Sequence, residues 1–259
     1  MLALGAVSGP ASITTPASPE QALWDLFCAI AAQDSAAAVE LLAARPELAR
    51  ASLQVGATRG AARQYFFDAL NHCAYAGDTA LHLAAAAYEV EVARALLTHG
   101  AQPRARNRRG AEPLHYACDA TAGSKAWRPA AQRAMVELLL GAGAQPQSLD
   151  KSGVAPLHRA VRARGVGAVE ALLAHGADVG LPNGNGSTPL HLALQDTGRG
   201  GSGTPAARDA QAEVLRLLLT HGASPDAKNA AGKSAYECAR SDWAKDLLDA
   251  AKRHARARR

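Results

Sequence analysis

Four histidines sit at matched positions in this 259-residue chain: His82 in "TALHLAA", His115 in "EPLHYAC", His158 in "APLHRAV" and His191 in "TPLHLAL". Repeated imidazoles suggest metal ligation or proton transfer. A zinc ion holds imidazole nitrogens at about 2.0–2.1 Å, so two ligands must lie within about 4 Å of each other. Equivalent residues on stacked helices are separated by about 8–10 Å. The four histidines therefore read as structural groups, each hydrogen-bonding near a helix start.

Other candidates are weaker. His99, His175 and His221 each precede a glycine that closes a leucine-rich segment. A histidine there meets the negative end of a helix dipole and caps late carbonyls. His115 and Cys118 lie three apart, on one helix face, but Cys118 aligns with Ala85, Val161 and Leu194, a core position. "AAGKSAY" holds Gly232-Lys233-Ser234, yet the glycine that a phosphate loop needs five residues earlier is Ala227. No convergent acid, base or nucleophile emerges, so the chain reads as non-catalytic, with no cofactor and no metal.

The elements that position these residues follow from composition. Hydrophobic residues make up 48% of the chain but aromatics only 4%, and alanine supplies much of the difference. Alanine packs helices closely and buries little area per residue, which favours a thin, repetitive stack over one thick core. Five of the +5 formal charges reside in the terminal "KRHARARR", so the remaining body is near neutral and a poor match for nucleic acid. Cys28, Cys73, Cys118 and Cys238 show no zinc-type spacing and read as reduced thiols. No Lys or Arg precedes Arg45, against a secretory leader, and no apolar run approaches a membrane span. These readings place a soluble monomer in the cytoplasm.

Internal repeats organise the rest. His82 to His115 and His158 to His191 are each 33 residues. Pro113, Pro156 and Pro189 stand at a first helical turn, and Thr79 and Thr188 can cap it. Gly100, Gly143, Gly176 and Gly222 end the second helices, and a second glycine follows each by ten residues. Asn107, Asp150, Asn183 and Asn229 lie three residues before that second glycine, a type I turn signature, so the connectors read as equal hairpin-like fingers.

With "STPLHLA" and "EVLRLLLTHGA" recurring in this order, the chain resembles the ankyrin repeat family over roughly residues 77–250. The resemblance implies an all-α solenoid of about six repeats, the terminal ones degenerate caps. The expected organisation is a disordered segment 1–18, a degenerate repeat and capping segment 19–76, four repeats over 77–231, a capping repeat 232–251 and a basic tail 252–259. Insertions fall between first and second helices near 119–131 and 195–210. "RQYFFDALNHCAY", 63–75, reads as a cap for the open end of the stack or as an exposed aromatic pad.

Family members commonly bind partners through finger tips and the concave face of the first helices. Carried over, that implies Arg108, Arg109, Lys151, Ser152, Asn185 and Arg162 as partner contacts, with Tyr116 and Arg159 beside their histidines. Arg104 and Arg106 complete a basic finger suited to an acidic partner surface. Trp127, in the first insertion, is a candidate anchor. The function expected is protein–protein interaction through a rigid scaffold. A nucleic-acid-associated or nuclear-targeted adaptor working through the basic tail stays as the alternative, and an enzyme is the remote one.

Overall fold

The computed structural model describes residues 18–119, 128–195 and 204–257. The segment 1–17, the centres of both insertions and Trp127 lie outside the described residues. Twelve α-helices occur among them, in six consecutive pairs. The first helices are α1 (Pro19–Ala31), α3 (Ala80–Ala87), α5 (Pro113–Ala117), α7 (Pro156–Ala163), α9 (Pro189–Ala193) and α11 (Ala235–Cys238). The second helices are α2 (Ser35–Ala44), α4 (Val90–Thr98), α6 (Pro129–Gly141), α8 (Val166–Ala174), α10 (Pro205–Thr220) and α12 (Asp242–Ala257). First helices pack on first helices and second on second, giving two layers with one continuous alanine- and leucine-rich core. The chain is thus an all-α repeat solenoid, as the family resemblance implied.

Each finger turns where the asparagine or aspartate pattern placed it. Asn107 Oδ1 accepts the N–H groups of Arg109 (2.9 Å) and Ala111 (3.1 Å), and the Gly110 N–H closes the turn on the Asn107 carbonyl at 2.8 Å. Asp150, Asn183 and Asn229 do the same. Gly110 adopts φ 74°, which a side chain would strain, and a Cβ there would stand 3.0 Å from the Lys151 nitrogen. Adjacent fingers join by backbone bonds, Arg108 N to Ala76 O at 2.7 Å and Lys151 N to Arg109 O at 2.9 Å.

The insertions reshape their helices. In the pairs α3–α4 and α7–α8 the first helix has 8 residues and ends in a left-handed residue, Tyr88 (φ 57°) or Arg164 (φ 56°). In the interrupted pairs, α5 and α9 stop after 5 residues. There the second helix starts early, at Pro129 or Pro205, inside the segments read from sequence as loop. Proline at N1 explains both starts. Buried Gln132 and Gln211 each reach back to the shortened helix, donating to Ala117 O (3.0 Å) and Ala193 O (2.7 Å). The basic tail also begins inside an element, because α12 continues through Ala257.

The finger before α3 is the exception. Residues 52–57 pair with 74–79 through Leu53 N–Asp78 O, Ala57 N–Ala74 O and Gly77 N–Leu53 O, at 2.7–2.8 Å. Between them the chain makes an excursion that holds the only two strands among the described residues, β1 (Phe66–Phe67) and β2 (His72–Cys73). Tyr65 and Phe67 pack on Trp24 of α1, with centroids at 5.7 and 5.2 Å, and His72 packs on Tyr116 of α5 at 4.4 Å. The aromatic stretch therefore contacts both α1 and α5.

Candidate functional site

The histidine ladder is architecture. Backbone N–H groups of Thr79, Glu112, Ala155 and Thr188 donate to Nδ1 of His82, His115, His158 and His191 at 3.0–3.3 Å. That fixes the tautomer, so each Nε2–H donates onward, to the carbonyls of Ala111, Val154, Leu181 and Lys233. With both nitrogens engaged, no lone pair is left for a metal. Thr79 and Thr188 occupy the N-cap of their helices, and each carries a hydroxyl there. Each directs it to the imidazole of its own repeat, at 3.0 and 2.8 Å. Burial holds the pKa of His115 down to about 4 and lowers those of His82 and His158.

The remaining chemical candidates also resolve. Nδ1–H of His99, His175 and His221 donates to the carbonyl four residues earlier at 2.8 Å, the capping role read from sequence. Cys118 is fully buried and burial pushes its thiol up, the opposite of an activated nucleophile. Cys28, by contrast, is exposed.

The finger arginines are largely occupied. Arg106 donates to the carbonyls of Gly110, at 3.1 Å, and Leu149 on the next finger. Arg108 donates to Ala57 O at the root of the excursion. Arg109 lies over the Tyr75 ring at 5.0 Å and donates to its hydroxyl at 3.1 Å. Only Arg104 carries no hydrogen bond or ion pair among the described residues. The basic finger thus braces its neighbours, and the picture of four free cations is corrected for Arg106, Arg108 and Arg109. Lys151, Ser152 and Asn185 stand exposed at successive finger tips.

Tyr116 requires the largest correction. Expected as a surface contact, it is 2% exposed, beneath His72. Its hydroxyl meets both oxygens of the fully buried Asp78, at 2.9 and 2.8 Å. Asn107 Nδ2 (2.8 Å) and the Tyr75 N–H (2.7 Å) complete the shell of that carboxylate. Desolvation and the Asp78 charge both raise the Tyr116 pKa well above its ordinary value. Asp78 occupies the position held by Ala111, Val154 and Ser187 in the following repeats. An acid at that position, with a tyrosine one repeat on, was the signal that sequence reading passed over.

Beside this buried cluster lies a cavity of about 290 Å³ between the excursion, α5, α7 and the fingers. Five of the residues carried over from sequence line it: Arg109, Tyr116, Ser152, Arg159 and Arg162. His72 and Asp119, which sequence did not single out, line it as well, as does Asp150, read from sequence only as a turn residue. Arg159 bridges the last two, at 3.0 Å to Asp119 and 2.9 Å to Asp150. Its hydrogen bond and those of the Ser152 and Val154 N–H groups hold the Asp150 carboxyl below its usual range despite its burial. Arg162 is exposed and has no ion pair or hydrogen bond among the described residues. The Nε2 atom of His72 is buried without a hydrogen-bond partner among the described residues.

A second, more open cavity of about 440 Å³ lies at the far end, lined by His191, Asn229, Lys233 and Glu237 among others. Across the described residues no His, Cys, Asp or Glu group is arranged to hold a metal, and no helix is long and apolar enough to cross a membrane. No curated protein matches the chain. A family model described as ankyrin repeats in three copies matches residues 26–126 and 129–229, more than half of the sequence.

Proposed function

This chain belongs to the ankyrin-repeat family, and from that premise we propose that it is a non-catalytic protein-binding module. Ankyrin repeats are generally protein–protein interaction modules. The observation that carries the reading is the cavity between α5, α7 and their fingers, where Arg109, Ser152, Arg159 and Arg162 converge on one accessible face. The Arg109 carbonyl accepts from the Lys151 N–H of the next finger, and Arg159 and Arg162 stand on α7, so the surface is ordered before a partner arrives. The cavity is polar but carries no activated nucleophile, which supports binding over turnover.

A monomer in the cytoplasm is part of the same proposal, supported by four free thiols. The nucleic-acid alternative is weakened at Lys252, which pairs with Asp226 at 2.6 Å and stacks over Tyr236 at 4.3 Å.

Site-specific photo-cross-linking in cell extract tests the proposal. A cross-linker at Ser152 or Arg162 is expected to trap a defined partner, while one at Glu137, exposed on the second-helix layer, traps none. Equal trapping from Glu137, or trapping from none of the three, overturns it.

A further inference from the structure

We infer that the 290 Å³ cavity is a socket for a single carboxylate side chain, aspartate or glutamate, of the bound protein. The inference rests on the protein-binding reading above and names the chemistry the partner brings.

Charge pairing selects an anion. Both acids at the cavity, Asp119 and Asp150, are taken up by Arg159. Arg109 and Arg162 line the same space and have no carboxylate partner among the described residues. Arg109 is already oriented, clamped against Tyr75 by its cation–π contact and hydrogen bond. A guanidinium held in this way loses little further freedom when it binds a carboxylate.

Among the described residues the lining supplies three arginines against two aspartates, a balance of one positive charge. A monoanion matches that balance. A phosphate dianion would place excess negative charge beside Asp119 and Asp150, so the pairing favours a carboxylate.

An imidazole supplies the second, independent observation. His72 Nε2 is buried and unpartnered, although the ring is held edge-on to Tyr116 and Tyr75 at 4.4 and 6.3 Å. A buried polar atom left unmade is costly, and an incoming acceptor would relieve that cost if Nε2 carries the proton. At about 290 Å³ the cavity stands at the small end of ligand pockets and has room for about one or two side chains. The excursion that supplies His72 and Tyr75 is absent from the other fingers, so the socket belongs to this one interval of the stack.

Selection of capped dodecapeptides from a display library on the full chain, followed by fluorescence anisotropy, tests the socket. The enriched peptides are expected to share an Asp or Glu. Replacing it with Asn or Gln should lower affinity about tenfold, as should Arg162→Ala, a change at an unpaired surface residue that leaves folding intact by circular dichroism. His72→Ala should weaken the same peptides several-fold. Peptides that lose binding on Arg162→Ala but need no acidic residue overturn the socket and leave the binding module standing. A phosphoserine version that outcompetes the glutamate peptide overturns the carboxylate assignment. Enriched peptides indifferent to both Arg162→Ala and Arg109→Ala overturn the socket and the proposed binding face together.

Discussion

The finger before α3 and the finger before α9 join the same kinds of helices and end on the same backbone-to-imidazole contact, at Thr79 and Thr188. The second turns at Asn183 and returns directly. The first adds the β1–β2 excursion, which leans on Trp24 and buries Tyr116. Across most of the stack, burial comes from the regular core of small and leucine side chains. Around Asp78 it also comes from a polar cluster built by three separate segments, contributing Asp78, Asn107 and Tyr116. The repeat supplies rigidity, and departures from it supply chemical individuality.

The sharpest way to break this contrast is to truncate equivalent side chains in the two regions. Tyr116→Ala removes a buried ring and one of the donors to a fully buried carboxylate, and is expected to cost about 4 kcal/mol. Leu192→Ala, at the matching position of α9 and 7% exposed, removes only apolar contacts and should cost about 2 kcal/mol. Urea unfolding monitored by circular dichroism gives both values. Equal costs would show that the Asp78 cluster adds nothing to ordinary core packing.

Acid acts at the seam between the two regions. His115 donates to Val154 O and stays neutral in the fold, its pKa about 4 against an ordinary 6.5. Its folded pKa is depressed, so below about pH 6.5 the unfolded chain binds a proton that the folded chain refuses. Stability then falls as pH drops, until the folded pKa is reached. Each pH unit in that window removes about 1.4 kcal/mol per such group, or about 2 kcal/mol from pH 6.5 to pH 5 for His115 alone. His72, His82 and His158 shift the same way. Urea midpoints across this range should fall more steeply for the wild type than for His115→Gln. Parallel slopes would contradict the depressed pKa.

These contrasts also mark where sequence stops informing structure. The histidine period, the paired glycines and the Asn or Asp three residues before the second glycine are local patterns with local causes, and each was legible. Cooperation over distance was not. "FF" and "HC" are too short to show strand alternation, and their burial depends on Trp24 and Tyr116, about 40 residues away on either side. The early starts of α6 and α10 had a local signal, Pro129 and Pro205 at N1, but Gly-, Ser- and Ala-rich surroundings masked it. In the candidate site, the arginine types were readable and their partners were not. A guanidinium spans several residues of chain, and which carbonyl or ring it meets depends on how neighbouring fingers stack.

The finger arginines give the smallest effect and the finest resolution. Arg108 and Arg104 are four residues apart on one finger and equally exposed in class. Arg108 bridges to the Ala57 carbonyl and so ties the irregular first finger to a regular one. Arg104 ties nothing among the described residues. Arg108→Ala is therefore expected to cost about 1 kcal/mol, the usual net worth of one such hydrogen bond. Arg104→Ala should fall within about 0.5 kcal/mol of wild type, as for a solvated surface change. Hydrogen exchange at residues 52–57 should quicken in the first variant only, because the bridge ends on that segment. Matching exchange in both variants would mean that the excursion holds its place through its aromatic contacts alone, with the basic finger left free to meet a partner.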